Sequence, residues 1–300
     1  MTAEREFGYS GCMHKQILFF IAGAAVCTAL AAASAGAIRG SAKKKTGGSQ
    51  NTPDGAQHAK TQADRVNSVL AGMSSRARAA VKIEDMNAFL SDLANVQSSD
   101  TDNSSSDSDI SLLALVDKQH PLPDGYAPKH LIPLTNNDVY TVNRSGLSLR
   151  PEAESALKTL SLAARKDGVR LLASSSYRSF DYQKKVYDKW VLLDGQQEAD
   201  RESARPGTSQ HQLGTAVDFG SISDDFAETA MGAWMNAHAA EYGWSLSFPQ
   251  GYEDVTGYRW ESWHFRYIGV KACKFQAKYF SGIQQFMLEF IAGWKAENAG

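Results

Sequence analysis

All six tryptophans and ten of the eleven tyrosines of this 300-residue chain lie C-terminal to Ser111. Aromatic side chains carry a large share of a core's buried area, so this asymmetry confines the expected fold to residues 112–300. Just before it, Ser98 to Ser111 is almost purely Ser, Asp, Asn and Thr. Such a stretch offers too little apolar surface to order itself and marks the expected domain boundary. Hydrophobic residues make up 43% of the chain, which excludes uniform disorder. With 31 basic against 33 acidic side chains, no global basic field points to a nucleic-acid partner. Cys12, Cys27 and Cys273 are too few for a disulfide framework or a Cys-based zinc site. A metal would have to be held by His and carboxylates.

The N-terminal third reads as delivery apparatus. Residues 1–16 form a short leading segment, expected in the cytoplasm, and residues 17–38 run uncharged and mostly apolar. That length spans the roughly 30 Å hydrocarbon core of a bilayer as a helix. Two readings stay open: an uncleaved anchor, or a signal peptide cut after Ala35 or Ala37. Arg39, Lys43, Lys44 and Lys45 follow the segment, a bias that by the positive-inside rule opposes export of what comes next. Residues 39–111 are expected to be a charge-segregated, partly helical tether. Nine Lys or Arg lie between Arg39 and Lys82, and seven acidic residues with no basic one between Glu84 and Asp109. Within it, Gln62 to Val81 and Ile83 to Val96 have helix-compatible spacing.

After Ser111 the pattern becomes one of short alternating elements. Leu112 to Val116 reads as a strand, Pro121 to Pro133 as irregular, and Pro151 to Lys166 as a helix with acidic residues in its first turn. Strands are expected at Val169 to Ala173, Gly214 to Phe219, Trp244 to Phe248 and Tyr258 to Ile268. Helices are expected at Phe180 to Leu193, Asp224 to Tyr242, Lys271 to Lys278 and Ile283 to Trp294. Without regular βαβ periods or a Gly-rich phosphate loop, the fold class is α+β rather than doubly wound.

Three polar clusters interrupt these apolar elements. In Ser209 to Asp218, His211 and Asp218 stand seven residues apart with Gly214 between them to turn the chain, so both can converge on one cation. In Trp260 to Tyr267, Glu261 precedes His264 by three positions. A straight strand would send these two to opposite faces, so they share a site only if the chain bends near Ser262. In Ser174 to Ser179, Arg178 follows an apolar strand and suits a carboxylate anchor or an oxyanion stabiliser. Two histidines, one aspartate and a free glutamate match the three-ligand, one-open-position arrangement of catalytic zinc. His120, His130 and His238 are expected to be structural.

Together, Ser-x-Tyr-Arg-Ser (Ser175 to Ser179), Ser-x-His-x-x-Gly-x-Ala-x-Asp (Ser209 to Asp218) and Glu-x-Trp-His-x-Arg-Tyr (Glu261 to Tyr267) resemble the VanY-type D-alanyl-D-alanine carboxypeptidases. These belong to a metallopeptidase group that includes the hedgehog signalling domain. The lead-in Leu115 to Pro123 is also similar, so the resemblance covers residues 112–294. It implies an antiparallel sheet flanked by helices that binds one zinc ion through His211, Asp218 and His264. Glu261 is then the catalytic base, and Arg178 both binds substrate and stabilises the transition state. Gln183 and Ser209 fall near the substrate's terminal carboxylate, and Ser176 and Trp263 join them as substrate-binding positions. Ser176 stands where the family usually has Gly. The implied substrate is the stem peptide of peptidoglycan, outside the cytoplasmic membrane, cleaved without a covalent intermediate. A serine nucleophile is the weaker reading, since no G-x-S-x-G elbow is present. A D,D-carboxypeptidase, an L,D-carboxypeptidase, a D,D-dipeptidase, an endopeptidase and a non-catalytic zinc-bearing wall-binding module all remain open at this stage.

Overall fold

The computed structural model describes residues 60–103 and 109–299. The expected membrane segment at 17–38 lies outside the described residues, and among those described no helix is long and apolar enough to cross a membrane. In chain order the elements are α1 (Gln62–Gly72), α2 (Ser75–Ala80), α3 (Met86–Asn103), β1 (Ile132–Pro133), β2 (Thr141–Val142), β3 (Ser148–Leu149), α4 (Pro151–Lys166), β4 (Leu172–Ser175) and α5 (Phe180–Glu202). They continue with β5 (Ala216–Phe219), α6 (Ala230–His238), β6 (Trp244–Leu246), α7 (Glu253–Thr256), β7 (His264–Tyr267), α8 (Val270–Tyr279) and α9 (Gln284–Ala299).

The central sheet has the order β2-β4-β5-β7-β6. Three of its four pairings are antiparallel, but β2 runs parallel to β4, so the sheet is mixed rather than wholly antiparallel as expected. Strand alternation gives β5 and β7 two unlike faces. Val217 and Phe219, with Phe265 opposite, join the core beneath α4 and α6. Asp218 and His264 share the other face with Arg266. The α4 helix occupies the expected span, with Pro151 at its start, Glu152 and Glu154 in its first turn, and Arg165 and Lys166 in its last.

A second core is purely helical, and it moves the expected boundary. Val66, Val69, Phe89, Leu93 and Val96 are buried against Phe275, Phe286, Phe290 and Ile291, so α1 and α3 pack on α8 and α9. The compact unit includes α1 to α3 rather than beginning at Leu112. Thr61 and Asp64 form a capping box that starts α1, and Asp85 accepts from the Asn87 and Ala88 amides at the start of α3. The tether reading of 39–111 is therefore corrected from α1 onward. Its few apolar residues suffice because they fall on one face and bury against a partner already rich in aromatics. The polar boundary at Ser98 also gives way, since α3 continues to Asn103 and the buried Asp100 binds Ser111 and Lys295.

Three further expectations are corrected. Leu112 to Val116 is not a strand, because Arg266 Nη2 donates to the carbonyls of Leu112 (2.7 Å) and Ala114 (2.8 Å), which removes them from any ladder. Asp224 to Tyr242 is broken into a 3-10 turn, α6 and a second 3-10 turn. Thr229 caps α6 afresh by accepting from the Gly232 amide, and Gly232 lies so close to the Phe226 carbonyl that a Cβ there would come within 1.9 Å of it. Of Tyr258 to Ile268, only His264–Tyr267 is strand; the residues before it form the bend.

Candidate metal centre and active site

Strand register places the first two ligand candidates. Asp218 in β5 stands directly opposite His264 in β7, and His264 Nδ1 lies 3.0 Å from Asp218 Oδ1. His211 arrives from the 3-10 turn Gln210–Leu213, which ends at Gly214 with φ of +73°. A Cβ at Gly214 would meet Arg150, Pro128 and Leu131 at 3.1 to 3.3 Å, so glycine serves both the left-handed turn and the close packing. His211 Nε2 lies 3.2 Å from Asp218 Oδ2. The ligand atoms of His211, Asp218 and His264 all lie within 4.8 Å of one another, and all three residues are buried.

Neighbouring groups orient both imidazoles. His211 Nδ1 donates to the Ser176 carbonyl at 2.7 Å, which leaves Nε2 facing Asp218. His264 Nε2 donates to Gln210 Oε1 at 3.2 Å, which leaves Nδ1 facing Asp218. Such outer hydrogen bonds fix the tautomer of a metal-ligating histidine. Burial, reinforced by Arg178, pushes His211 down to about 4, so its imidazole is neutral at physiological pH. Burial alone would raise the Asp218 carboxyl, but His211 and His264 hold it well below the usual carboxylate range. His211 Nε2 and Asp218 Oδ1 are buried without a hydrogen-bond partner. Two imidazole nitrogens and one carboxylate converging on one point fit a divalent cation of the zinc type.

The bend needed near Ser262 is present. The His264 amide bonds the Glu261 carbonyl at 3.3 Å in a tight turn, and Glu261 Oε2 ends 3.5 Å from His264 Nδ1. Burial, with the Asp218 charge adding to it, holds the Glu261 carboxyl well above its ordinary range. Arg178 enters from the turn after β4, with Nη2 3.2 Å from Asp218 Oδ2 and Nη1 donating to Gln183 Oε1 at 3.0 Å. Arg178, Ser209, His211, Glu261 and His264 line one pocket.

Three of the expected substrate-binding positions do different work. Gln183 is fully buried, accepts from Arg178 and donates to the Ala204 carbonyl at 2.7 Å, so it braces the arginine. Ser176 is also fully buried, and its hydroxyl accepts from the Ser148 amide while its carbonyl orients His211. Trp263 packs into the core beneath the sheet, on the opposite face from His264. Ser209 keeps a place on the pocket wall, where its hydroxyl also caps the His211 amide. His120 binds Asp117 and His238 contacts Glu241, both away from the metal cluster. Sequence reasoning missed Gln210, Phe248, Tyr258 and Glu202. Gln210 lies inside the Ser209 to Asp218 motif, but its partner His264 is 54 positions away. Phe248, whose ring centroid is 4.7 Å from that of His264, belongs to no polar cluster.

A family model described as VanY, D-alanyl-D-alanine carboxypeptidase, matches residues 146–270. YodJ of Bacillus subtilis is 40% identical over 169 residues, covering 54% of this chain and 62% of its own. The bifunctional D-Ala-D-Ala dipeptidase and D-Ala-D-Ala carboxypeptidase VanXYC of Enterococcus gallinarum is 30% identical over 173 residues, covering 54% of this chain and 85% of its own. The chain thus spans under two thirds of the length of YodJ but most of VanXYC. Among solved structures, the LdcB LD-carboxypeptidase, described for its peptidoglycan recognition, is 37% identical with a TM-score of 0.54, over 59% of this chain and 86% of that one. The likeness carries through sequence and fold, and the chain belongs to the VanY family of D-alanyl-D-alanine carboxypeptidases.

Proposed function

We propose that this protein is a zinc-dependent D,D-carboxypeptidase that removes the terminal D-alanine from peptidoglycan stem peptides. The observation that carries the reading is the position of Glu261, a carboxylate with raised proton affinity held 3.5 Å from a metal-facing histidine nitrogen. A non-catalytic zinc module has no use for such a group. His211, Asp218 and His264 would hold the ion, which when bound supplies Lewis acidity and lowers the pKa of water toward about 7. Glu261 takes the proton from the attacking water and returns it to the departing amine. The Arg178 guanidinium, braced by Gln183, stabilises the oxyanion that develops at the scissile carbonyl. A serine nucleophile is not favoured here, since the Ser176 and Ser179 hydroxyls accept from the Ser148 and Tyr182 amides.

Likeness to the LdcB LD-carboxypeptidase favours a second reading, in which the bond cut is the L,D linkage of a tetrapeptide. Full-length protein with zinc, incubated with stem pentapeptide and tetrapeptide, separates the two by mass. Loss of one alanine from the pentapeptide, abolished by chelator and by Glu261→Ala, is expected. Full activity of Glu261→Ala would refute the mechanism, and loss from the tetrapeptide alone would move the assignment to the L,D bond.

We also propose that residues 17–38 deliver the domain to the outer side of the cytoplasmic membrane, as a single-pass anchor or a cleaved signal. The substrate's location supports this, and large domains translocate largely regardless of flanking charge. Alkaline phosphatase fused after Gly300 is expected to be active in cells. An inactive fusion beside a fluorescent green-protein fusion would place the domain in the cytoplasm.

A further inference from the structure

The pocket has one charged wall that the proposed hydrolysis leaves without a task. Glu202 is the last residue of α5, and it lines the same pocket as Arg178, Glu261 and His264. Its side chain is only 33% exposed, and burial raises its proton affinity. Among the described residues its carboxylate has no hydrogen bond. The nearest cation, Arg259, stands 3.6 Å away and already donates to Asp224 at 2.6 Å. Arg178, which lines the same pocket, is held by Asp218 and Gln183. One more feature makes this wall attractive to positive charge: Glu202 closes the helical stretch that follows the break of α5 at Gly195, and the terminal backbone carbonyls there carry partial negative charge.

We propose that Glu202 is a specificity-determining residue that binds a primary ammonium group of the substrate. This rests on the peptidase reading of the same pocket. A half-buried carboxylate without a hydrogen bond gains from an ammonium what the protein itself does not supply, and the gain is one of substrate binding rather than of chemistry at the scissile bond. Two sources carry that group: the side chain of a basic residue upstream of the scissile bond, or the α-ammonium of a short peptide.

The test compares full-length wild type and Glu202→Gln, each loaded with zinc, on three ligands. These are a pentapeptide with lysine at its third position, the same peptide acetylated on the lysine Nε, and free D-Ala-D-Ala. Steady-state KM and kcat are read together with calorimetric Kd. Glu202→Gln is expected to raise KM and Kd about fivefold for an ammonium-bearing ligand with kcat held, and to leave the acetylated pentapeptide unchanged. A rise confined to the lysine pentapeptide assigns the group to the side chain, and a rise confined to D-Ala-D-Ala assigns it to the α-ammonium. Equal changes for the free and acetylated pentapeptides with none for the dipeptide, or no change for any ligand, overturn the proposal. Glu202→Asp, which keeps the charge, should retain part of the preference and exclude a folding defect as the cause. If wild type turns over none of the three, the peptidase reading fails by itself, while the calorimetric comparison still decides the role of Glu202.

Discussion

The helical layer and the site-bearing face of the sheet bury comparable kinds of surface in opposite ways. In the layer formed by α1, α3, α8 and α9, Phe89 is fully buried and meets the rings of Phe275, Tyr279, Phe280 and Phe290 at centroid distances of 4.8 to 6.4 Å. At the site, two imidazoles and two carboxylates are buried together, and His211 Nε2 and Asp218 Oδ1 have no hydrogen-bond partner. Buried apolar contact stabilises the fold, whereas buried unpaired polar groups cost it. One region therefore holds the molecule together and the other is held, and substitutions in the two should have opposite signatures.

The largest effect is expected on removing the helices that the sequence had assigned to a tether. A protein starting at Leu112 exposes Phe275, Phe286 and Phe290 on the face that α1 and α3 cover. It should lose cooperative thermal unfolding and aggregate, whereas the full chain should melt in one transition; an equally cooperative, soluble truncation would show that the helical layer is dispensable. Phe89→Ala tests the same region within the intact chain. Removing a fully buried ring from an aromatic cluster costs about 3–5 kcal/mol, measured as a drop in the denaturant midpoint. The zinc affinity of the folded fraction should not change. A variant that lost zinc binding while keeping its midpoint would break the division between the regions.

At the site the signs reverse. Glu261→Gln should lower kcat by about 10²- to 10⁴-fold, the usual range for a lost general base, yet make the metal-free protein more stable at neutral pH. The Glu261 carboxyl binds its proton well above the ordinary value of 4.5 in the fold, because burial and Asp218 oppose its charge. The unfolded chain thus releases that proton at lower pH than the native state does, and stability falls as pH rises from about 4.5 through the raised native value. Gln is isosteric and uncharged, so its stabilising effect should appear above that window and vanish below it. Chemical denaturation of both metal-free proteins at pH 4, 6 and 8 reads this directly; an equal difference at all three would assign the effect to packing instead of charge.

The same contrast explains what could be read from the sequence. His211, Asp218, Glu261, His264 and Arg178 were legible because each lies in a short local motif whose chemistry is unusual for its apolar surroundings, and the need for a bend before His264 followed from strand geometry alone. Gln183, Ser176 and Trp263 lie in the same motifs, but which way each faces is decided by packing with Ala204, Ser148 and the core beneath the sheet, all remote in sequence. The helical layer was misread for a related reason. The apolar residues of α1 and α3 are too sparse to define a core by themselves, and their partners on α8 and α9 follow about 180 to 225 positions later. Glu202 carried no local signal, because a glutamate at the end of a charged helix looks like any solvated one.

The smallest effect tests how tightly the held region depends on its nearest support. The Ser179 hydroxyl accepts from the Tyr182 amide and starts α5 one residue after Arg178. Losing such a cap costs about 1 kcal/mol, so Ser179→Ala should lower the denaturant midpoint slightly. Arg178 has other restraints: its amide bonds the His211 carbonyl, and its guanidinium is held by Gln183 and Asp218. With those intact, kcat on the pentapeptide should fall by less than about threefold, well short of what displacing an oxyanion stabiliser causes. Gln183→Leu removes one of the restraints and should lower kcat further while leaving the cap in place. If Ser179→Ala proved the more damaging of the two to kcat, the start of α5 would govern the arginine more than its side-chain partners do, and support and site could no longer be treated as separable.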